Sequence, residues 1–257
     1  MNRVRIIPVL TIDGQSLVKT VKFKKPNYLG DPINAIKIFN DKEVDEITVL
    51  DITASTKKRG PDFKLIEEMA SECFMPMAYG GGITKMEEIK TLFSLGVEKI
   101  ILNSILSENE DLISQASGQY GSQSILVSFD VKKNLLGQYK ACFLNAQKNS
   151  KTELVELAKK YESLGVGELI LHNVDKDGTF GGLDYNLVKQ LSSNLKIPLI
   201  ACGGVNSLED MLQGIKSGAS AIAAGSFFVY RNNDTKSILI SYPSQKDLME
   251  KIYSKIN

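Results

Sequence analysis

The chain of 257 residues lacks the residues that several functional classes require. It contains one histidine and three cysteines, Cys73, Cys142 and Cys202, which are far apart and form no C-x-x-C pair. This spacing argues against a disulfide framework and a zinc site, and a single histidine argues against a histidine-based metal centre. We therefore expect no metal and no cofactor, and a cytoplasmic protein whose thiols stay reduced.

An excess of one charge and long apolar runs are also missing. Lys and Arg number 31 against 30 Asp and Glu, so the formal net charge is +1 and does not suggest a surface for duplex nucleic acid. The opening segment MNRVRIIPVL has an apolar core too short to span a membrane and no small-residue cleavage site. We expect no nucleic-acid partner and no membrane span.

Short β-branched runs alternate with amphipathic stretches along most of the chain. The runs predicted as strands are RIIPVL, EITVLDI, MPMAYG, EKIILN, SILVSFD, GELILHN, IPLIACG and SAIAAGS. Most are separated by helical patterns such as KMEEIKTLFSLG, which end in Gly before the next strand. Eight such units predict an α/β fold, a (β/α)8 TIM barrel, as a single domain over residues 1–257. A doubly wound sheet is the alternative, but no G-x-G-x-x-G follows the first strand.

An internal repeat refines this prediction. Residues 75–104 align without gaps on residues 197–226 at an offset of 122, and the same offset relates Glu46 to Glu168. A fixed period of this length predicts two half-barrels related by a pseudo-twofold axis. The alternative is that βα units simply resemble one another.

Glycines follow the strands at equivalent points of both halves, in GGGI (80–83) and CGGV (202–205). Glycine lets the backbone approach a ligand with its amide groups exposed, and a following helix N-terminus adds positive charge. We expect two phosphate cradles at the C-terminal face of the barrel, and so a small ligand with two phosphates; tight turns without a ligand are the alternative. The predicted cradle residues are Gly81, Gly82, Asn103, Ser104, Asp177, Gly178, Thr179, Gly203, Gly204, Gly225 and Ser226.

Two charged features fall near the same face. Asp130 ends the buried run SILVSFD, where a carboxylate is costly unless the chemistry needs it. The basic segment LVKTVKFKKPNYLGDP (17–32) is predicted to be a lid over an anionic ligand. Lys19, nearest the strand end, is its one functional candidate, and its other lysines are expected to face solvent.

Taken in order and spacing, these motifs resemble the cyclase subunit of imidazole glycerol phosphate synthase. The matching segments are RII (5–7), LDITAS (50–55), GGGI (80–83), GSQ (121–123), DGT (177–179) and GG (203–204). The resemblance implies a lyase-type synthase subunit that receives ammonia from a glutaminase subunit at the N-terminal (bottom) face of the barrel. Ammonia would then attack a bisphosphorylated ribulosyl intermediate at the other face.

The resemblance also implies roles for individual residues. Asp130 matches the family's general acid/base, and Asp51 matches a position at its active face. A charged ring at the bottom of the barrel would be the ammonia gate, with apolar residues such as Ala78 and Ile101 above it. The ring positions are Arg5, Glu46, Lys99 and Glu168.

Two positions depart from the family pattern. Thr11 stands where the family has a second catalytic aspartate, and a hydroxyl does not relay protons as a carboxylate does near pH 7. Asp13 would replace that aspartate only if the strand shifted register. His172 stands where the family has a small hydroxyl residue, and it is either a hydrogen-bonded structural residue or a catalytic one.

The departure at Thr11 leaves several functions open. Residues 8–46, PVLTIDGQSLVKTVKFKKPNYLGDPINAIKIFNDKEVDE, also resemble a branch of this family that is linked to surface-polysaccharide synthesis. Members of that branch work with a glutaminase and a sugar amidotransferase to make acetamidino groups on sugars such as those of lipopolysaccharide O-antigen. Ammonia delivery for that synthesis is the first hypothesis, and the cyclase of histidine biosynthesis is the second. A non-catalytic activator of a glutaminase and a phosphoribosyl isomerase are the third and fourth.

Overall fold

The computed structural model describes residues 4–231 and 237–256. Its strands agree with the sequence prediction, because each of the eight predicted runs overlaps one strand of the barrel. In chain order the strands are β1 (Arg5–Asp13), β2 (Ser16–Val21), β3 (Lys24–Gly30), β4 (Ile47–Asp51), β5 (Met77–Gly80), β6 (Lys99–Leu102), β7 (Ile125–Lys133), β8 (Tyr139–Phe143), β9 (Lys148–Asn149), β10 (Glu168–Asn173), β11 (Leu199–Cys202) and β12 (Ala221–Ala224).

Helices follow most of the barrel strands. Several begin at a side chain that accepts a backbone N–H of the first turn, as Asp62, Asp184 and Ser207 do. The helices are α1 (Pro32–Asp41), α2 (Phe63–Ser71), α3 (Met86–Ser94), α4 (Asp111–Tyr120), α5 (Leu154–Ser163), α6 (Tyr185–Ser192), α7 (Leu208–Lys216), α8 (Ser226–Val229) and α9 (Gln245–Lys251), with short 3₁₀ turns at Ser104–Ser107, Ser122–Ser124 and Tyr253–Lys255.

Eight parallel strands close into a barrel in the order β1, β4, β5, β6, β7, β10, β11, β12. Two pairings complete the circle, β7 with β10 and β12 with β1. Closure excludes the doubly wound alternative, whose sheet would be open. The predicted (β/α)8 barrel is confirmed.

Strands β1 and β7, which carry Thr11 and Asp130, are longer than the predicted runs. β1 continues past Thr11 and pairs antiparallel with β2, which pairs with β3; β7 continues past Asp130 and pairs with β8. Each half of the barrel therefore carries a hairpin on its first strand, in agreement with the internal repeat. The segment predicted as a lid, residues 17–32, forms the hairpin of β2 and β3. Its turn residues Lys22 and Phe23 have φ of 51° and 60°, as a two-residue type I′ turn requires.

Apolar residues form two cores. The larger one lies between the barrel and the helices and includes Phe39, Tyr79 and Phe129. The smaller one fills the barrel interior with Ile7, Ala78, Ile101, Leu126, Ile170 and Ile200, among others. Within residues 4–231 and 237–256, no helix is long and apolar enough to cross a membrane.

Candidate functional site

A cleft of about 850 Å³, including the part open to solvent, lies at the C-terminal ends of the barrel strands. The barrel places it there because parallel strands bring their ends, and the loops that follow, to one face. Among the predicted residues it brings together are Thr11, Lys19, Asp51, Gly81, Gly82, Asn103, Ser104, Asp130 and Asp177; it is also lined by His172.

Asp130 lies in the wall of this cleft and is 7% exposed. Its carboxylate accepts a hydrogen bond from Asn103 Nδ2 at 3.3 Å. Burial raises the pKa of Asp130 from 3.8 to about 7, while His172 and the Asn103 hydrogen bond partly oppose this effect. A carboxyl group that gains and loses its proton near neutral pH is suited to general acid/base catalysis.

His172 lies directly beside Asp130, because the two residues are register partners on β10 and β7. Its Nε2 is 3.3 Å from Asp177 Oδ1, its Nδ1 is 3.9 Å from Asp130 Oδ1, and the Phe23 ring packs against it edge to face. Burial alone would lower the pKa of His172, but Cys202 and Asp177 raise it well above its ordinary value. The imidazole is therefore held between two carboxyl groups.

Lys19 and Asp177 form a buried ion pair at 2.8 Å. Burial would raise the pKa of Asp177, but Lys19 and the hydrogen bond to His172 lower it below its usual range. Of the lysines in the basic segment, Lys19 is buried, whereas Lys22, Lys24 and Lys25 are exposed. The hairpin thus contributes one cation to the cleft.

Thr11 lines the cleft, but its hydroxyl donates a hydrogen bond to the Val18 carbonyl across the β1–β2 pair. Asp13 points elsewhere: its Oδ1 binds Lys57 Nζ and Thr53 Oγ1, each at 2.8 Å. The structure therefore gives the missing aspartate no substitute on β1, in line with the fixed register of that strand.

The Asp51 carboxylate is held by hydrogen bonds from the loop that follows β4. Its Oδ1 accepts the N–H groups of Thr53 and Ala54, and its Oδ2 accepts Arg59 at 2.7 Å. These bonds fix the loop between β4 and α2 against the cleft wall. Arg59 was not predicted from the sequence, since a lone arginine in a loop gives no signal of its partner.

The first predicted cradle forms part of the same cleft. Gly81 and Gly82 have φ of 129° and 71°, a region that favours glycine. A Cβ at Gly81 would lie 2.6 Å from the Asp51 carbonyl oxygen, so the backbone passes close to β4. Ser104 opens the 3₁₀ turn after β6. Asn103, by contrast, uses its amide on Ser128 and Asp130.

The second predicted cradle is a smaller cleft of about 260 Å³. It is lined by Gly178, Gly203, Gly204, Gly225 and Ser226, and Asp177 borders both clefts. The buried Ser226 hydroxyl has no hydrogen-bond partner among the described residues, as expected for a group that serves a ligand.

Thr179 does not line this cleft. Its hydroxyl donates to the Lys176 carbonyl and accepts the Gly181 N–H, so it stabilises the turn.

Replacement of a cradle glycine tests this geometry. Gly203→Ala is expected to lower the free energy of unfolding by about 1–3 kcal/mol, because φ is 99° and the new Cβ would lie 2.6 Å from the Asn173 carbonyl oxygen. Denaturant unfolding measures this, and the thermal stabilisation by inorganic phosphate should also be lost. Gly118→Ala is the control: it lies in α4 with no atom within 4 Å of the new methyl and should stabilise by about 0.5–1 kcal/mol. Equal effects of the two changes would contradict the close backbone approach.

A closed ring of four charged side chains lies at the opposite end of the barrel. Arg5 binds Glu46 and Glu168, each at 2.5 Å. Lys99 binds the same two carboxylates at 2.7 and 3.0 Å. The four residues lie at or just before the first residue of β1, β4, β6 and β10, so their side chains converge on the barrel axis. All four predicted ring positions are brought together.

Between the ring and the cleft, the barrel interior is apolar. Ile7, Ala78, Leu126, Ile170 and Ala221 lie in this segment and are almost fully buried. The same strands that begin at the ring end at the cleft, so the two sites share one axis through an apolar core.

Comparison with known proteins shows which family has this architecture. Residues 5–234 match the model of the family described as "Histidine biosynthesis protein". A Pseudomonas aeruginosa protein, "Putative imidazole glycerol phosphate synthase subunit hisF2", is 45% identical over 249 residues, 96% of this chain and 99% of its own. The chain belongs to the family of imidazole glycerol phosphate synthase cyclase subunits.

Two further relatives are similar over nearly their whole length. A Leptospira borgpetersenii protein, "Putative imidazole glycerol phosphate synthase subunit HisF", is 44% identical and is covered to 98%. A Vibrio vulnificus protein, "Putative imidazole glycerol phosphate synthase subunit hisF3", is 43% identical and is covered to 95%. Cyclase subunits of this family work with a glutaminase partner. None of the three names describes an isomerase, which was the fourth hypothesis.

Some residues that line the cleft of this cyclase-family subunit were not predicted from the sequence. Phe23, Ser55, Ser128 and Asn145 line the cleft. Asn145 comes from the segment after β8 and donates to the Ile52 carbonyl at 2.5 Å. Of these four, only Phe23 could have been proposed from the sequence. It is a large apolar residue among lysines that face solvent, and such a residue usually packs against another part of the protein.

Proposed function

We propose that this synthase subunit accepts ammonia from a glutaminase at its bottom face and adds it to a phosphorylated substrate at its C-terminal face. The observation that carries the proposal is the closed ring of Arg5, Glu46, Lys99 and Glu168 on the same axis as the cleft. Two positive and two negative side chains form ion pairs with one another there, and the apolar interior above them favours neutral ammonia over ammonium.

The acceptor we favour is a phosphorylated sugar derivative that becomes an acetamidino sugar of lipopolysaccharide or another surface polysaccharide. A sugar amidotransferase would then be a further partner. Thr11 supports this choice, since its hydroxyl is bound to Val18 and cannot perform the family's second proton transfer. Adding ammonia to one carbonyl needs fewer proton transfers than the imine formation and ring closure of the histidine pathway.

The second candidate is the cyclase of histidine biosynthesis. The two glycine cradles favour it, because they lie in adjoining clefts and suit an intermediate with a phosphate at each end. Asp130, with a pKa of about 7, supplies one of the two acids that this chemistry uses.

Thr11→Asp separates the two candidates. If histidine biosynthesis is not the native reaction, this change is expected to raise turnover of the bisphosphorylated ribulosyl intermediate with an ammonium salt by about 10²-fold or more. It should also lower the free energy of unfolding by about 0.5–1.5 kcal/mol, because the hydrogen bond to Val18 is lost. Product formation is followed by chromatography. Wild-type turnover equal to that of an ordinary cyclase would remove the sugar proposal.

Co-purification with a glutaminase tests the common part of the proposal. Glutamine-dependent product formation by the complex is expected, and it should need an intact ring. The third hypothesis, a non-catalytic activator, predicts a different result. The complex would then hydrolyse glutamine normally with wild type and with Asp130→Asn alike, and neither chain would form a product.

A further inference from the structure

We infer that His172 is a catalytic residue, which together with Asp130 takes over the proton transfers that the family divides between strands one and five. This inference rests on the proposed addition of ammonia to a carbonyl group. It assigns a role to a position where the family pattern has a small hydroxyl residue, and it moves the proton-transfer pair to two adjacent strands.

The first support is position. The register of three neighbouring strands sets Asp130, His172 and Cys202 side by side at one level of the barrel. Asp130 and His172 both line the cleft, and Asp130 Oδ1 is 3.9 Å from His172 Nδ1. That distance is too long for a direct hydrogen bond, so both groups remain available to a reacting group that approaches them from the cleft.

The second support is the way the imidazole is held. Asp177 Oδ1 is 3.3 Å from Nε2, and Lys19 fixes Asp177 from the other side at 2.8 Å. Phe23 packs on the ring with a centroid distance of 4.9 Å. A carboxylate that binds one ring nitrogen orients the other toward the substrate, which is the arrangement expected of a general acid or base.

Charge balance around the ring agrees with this role. The groups that face His172 are Asp130 on β7, Asp177 after β10, Cys202 on β11 and, through Asp177, Lys19 on β2. Asp177 binds the ring directly and raises the pKa of His172, although Lys19 offsets part of its charge, and the Asp130 carboxylate adds a second negative charge 3.9 Å from Nδ1. The pKa of His172 is raised well above its ordinary value, so the ring enters the reaction as the imidazolium, and the pKa of Asp130, near 7, lets that carboxyl group gain and lose a proton in the neutral range.

The proton transfers balance over two steps. Ammonia attacks the carbonyl carbon, the new C–N bond forms, and the π electrons move to oxygen; oxygen takes a proton from the His172 imidazolium while nitrogen gives one to the Asp130 carboxylate. Asp130 then protonates the hydroxyl, which leaves as water, while nitrogen gives a proton to His172. The imine and water are formed, and both residues return to their starting states.

A double-mutant cycle tests the replacement of the missing aspartate. His172→Thr restores the residue type of the family pattern and is expected to slow ammonia incorporation into the bisphosphorylated ribulosyl intermediate by about 10²–10⁴-fold. In the Thr11→Asp background the same change should cost less than about tenfold, because the second carboxylate is present. Equal losses in both backgrounds, or no loss in either, would overturn the inference.

Titration of the only histidine gives a readout that does not depend on turnover. NMR of tag-free protein shows a single imidazole, whose titration midpoint we expect above 6.5. Asp130→Asn should lower that midpoint, because the carboxylate lies 3.9 Å from Nδ1 and the two charges stabilise each other. The signal should also shift when the bisphosphorylated intermediate binds. Cys142→Ser is the matched control, since Cys142 pairs with Asp130 in register but lines neither cleft.

The two assays separate this inference from the proposed function. If the wild type incorporates ammonia but His172→Thr does not slow it, the inference fails and the proposed function stands. If the wild type incorporates ammonia neither into this intermediate nor into a phosphorylated keto sugar, but the imidazole responds to Asp130→Asn and to ligand, the proposed function fails and the coupled pair stands. An imidazole that responds to neither change overturns the inference.

Discussion

Asp130→Asn is expected to lower the rate of ammonia incorporation by about 10²–10⁴-fold while leaving the fold intact and, above neutral pH, more stable. Asparagine keeps the shape of the side chain and its place beside Asn103, but it neither takes a proton from the attacking nitrogen nor returns one to the leaving oxygen. A loss of this size identifies the group that transfers protons, because the cleft and its cradles are unchanged.

The gain in stability follows from the burial of the carboxyl group. Its pKa is raised from 3.8 to about 7 on folding, so between these values the folded chain holds a proton that the unfolded chain has lost. The free energy of unfolding therefore decreases as pH rises from 3.8 to about 7 and does not recover above it. The amide of the Asp130→Asn variant has no such proton, and the contribution of this position to the slope should vanish.

Denaturant unfolding at several pH values measures this slope, and ammonium-dependent synthesis measures the rate. Asp41→Asn is the control, since Asp41 is exposed at the end of α1 and should change neither quantity. A variant that loses activity and also loses stability at pH 8 would indicate a structural carboxylate instead of an acid/base.

The sequence was sufficient to predict the barrel, because its eight strands are buried on both faces and each has a clear apolar run. The cradle glycines were also accessible, since a Gly-Gly pair repeated after two equivalent strands is typical of a backbone that passes close to its neighbours. Gly81 and Gly203 indeed approach the carbonyls of Asp51 and Asn173, which are themselves related by the same offset.

Tertiary partners were not accessible in the same way. The segment 17–32 was interpreted as a lid, and only the structure shows that Thr11 is bound to Val18 while Lys19 crosses to Asp177. The position of His172 between Asp177 and Asp130 depends on the parallel register of β7 and β10 and on the turn that follows β10. Periodicity gives the strands but not the side chains that meet across them.

Glu46→Gln is expected to uncouple glutamine from synthesis, because it removes one of the two negative charges that close the ring. Glu46 is 2% exposed and accepts both Arg5 and Lys99, so the change leaves two cations to share Glu168. Arg5 and Lys99 are partly buried, and a cation left under-satisfied in such a place costs about 1–3 kcal/mol, so the free energy of unfolding should fall by that amount. The ring would then carry a net positive charge and admit water.

The functional effect should be confined to one source of nitrogen. Glutamine-dependent synthesis is expected to fall by about tenfold or more, since each additional barrier of about 1.4 kcal/mol slows passage tenfold. Synthesis from an ammonium salt should change little, because ammonia from solution reaches the cleft at the C-terminal face without crossing the ring. Asp247→Asn, which breaks an exposed ion pair with Lys251 on α9, is the control and should alter neither. Equal losses with both nitrogen sources would show that the ring supports the barrel but does not control the path of ammonia.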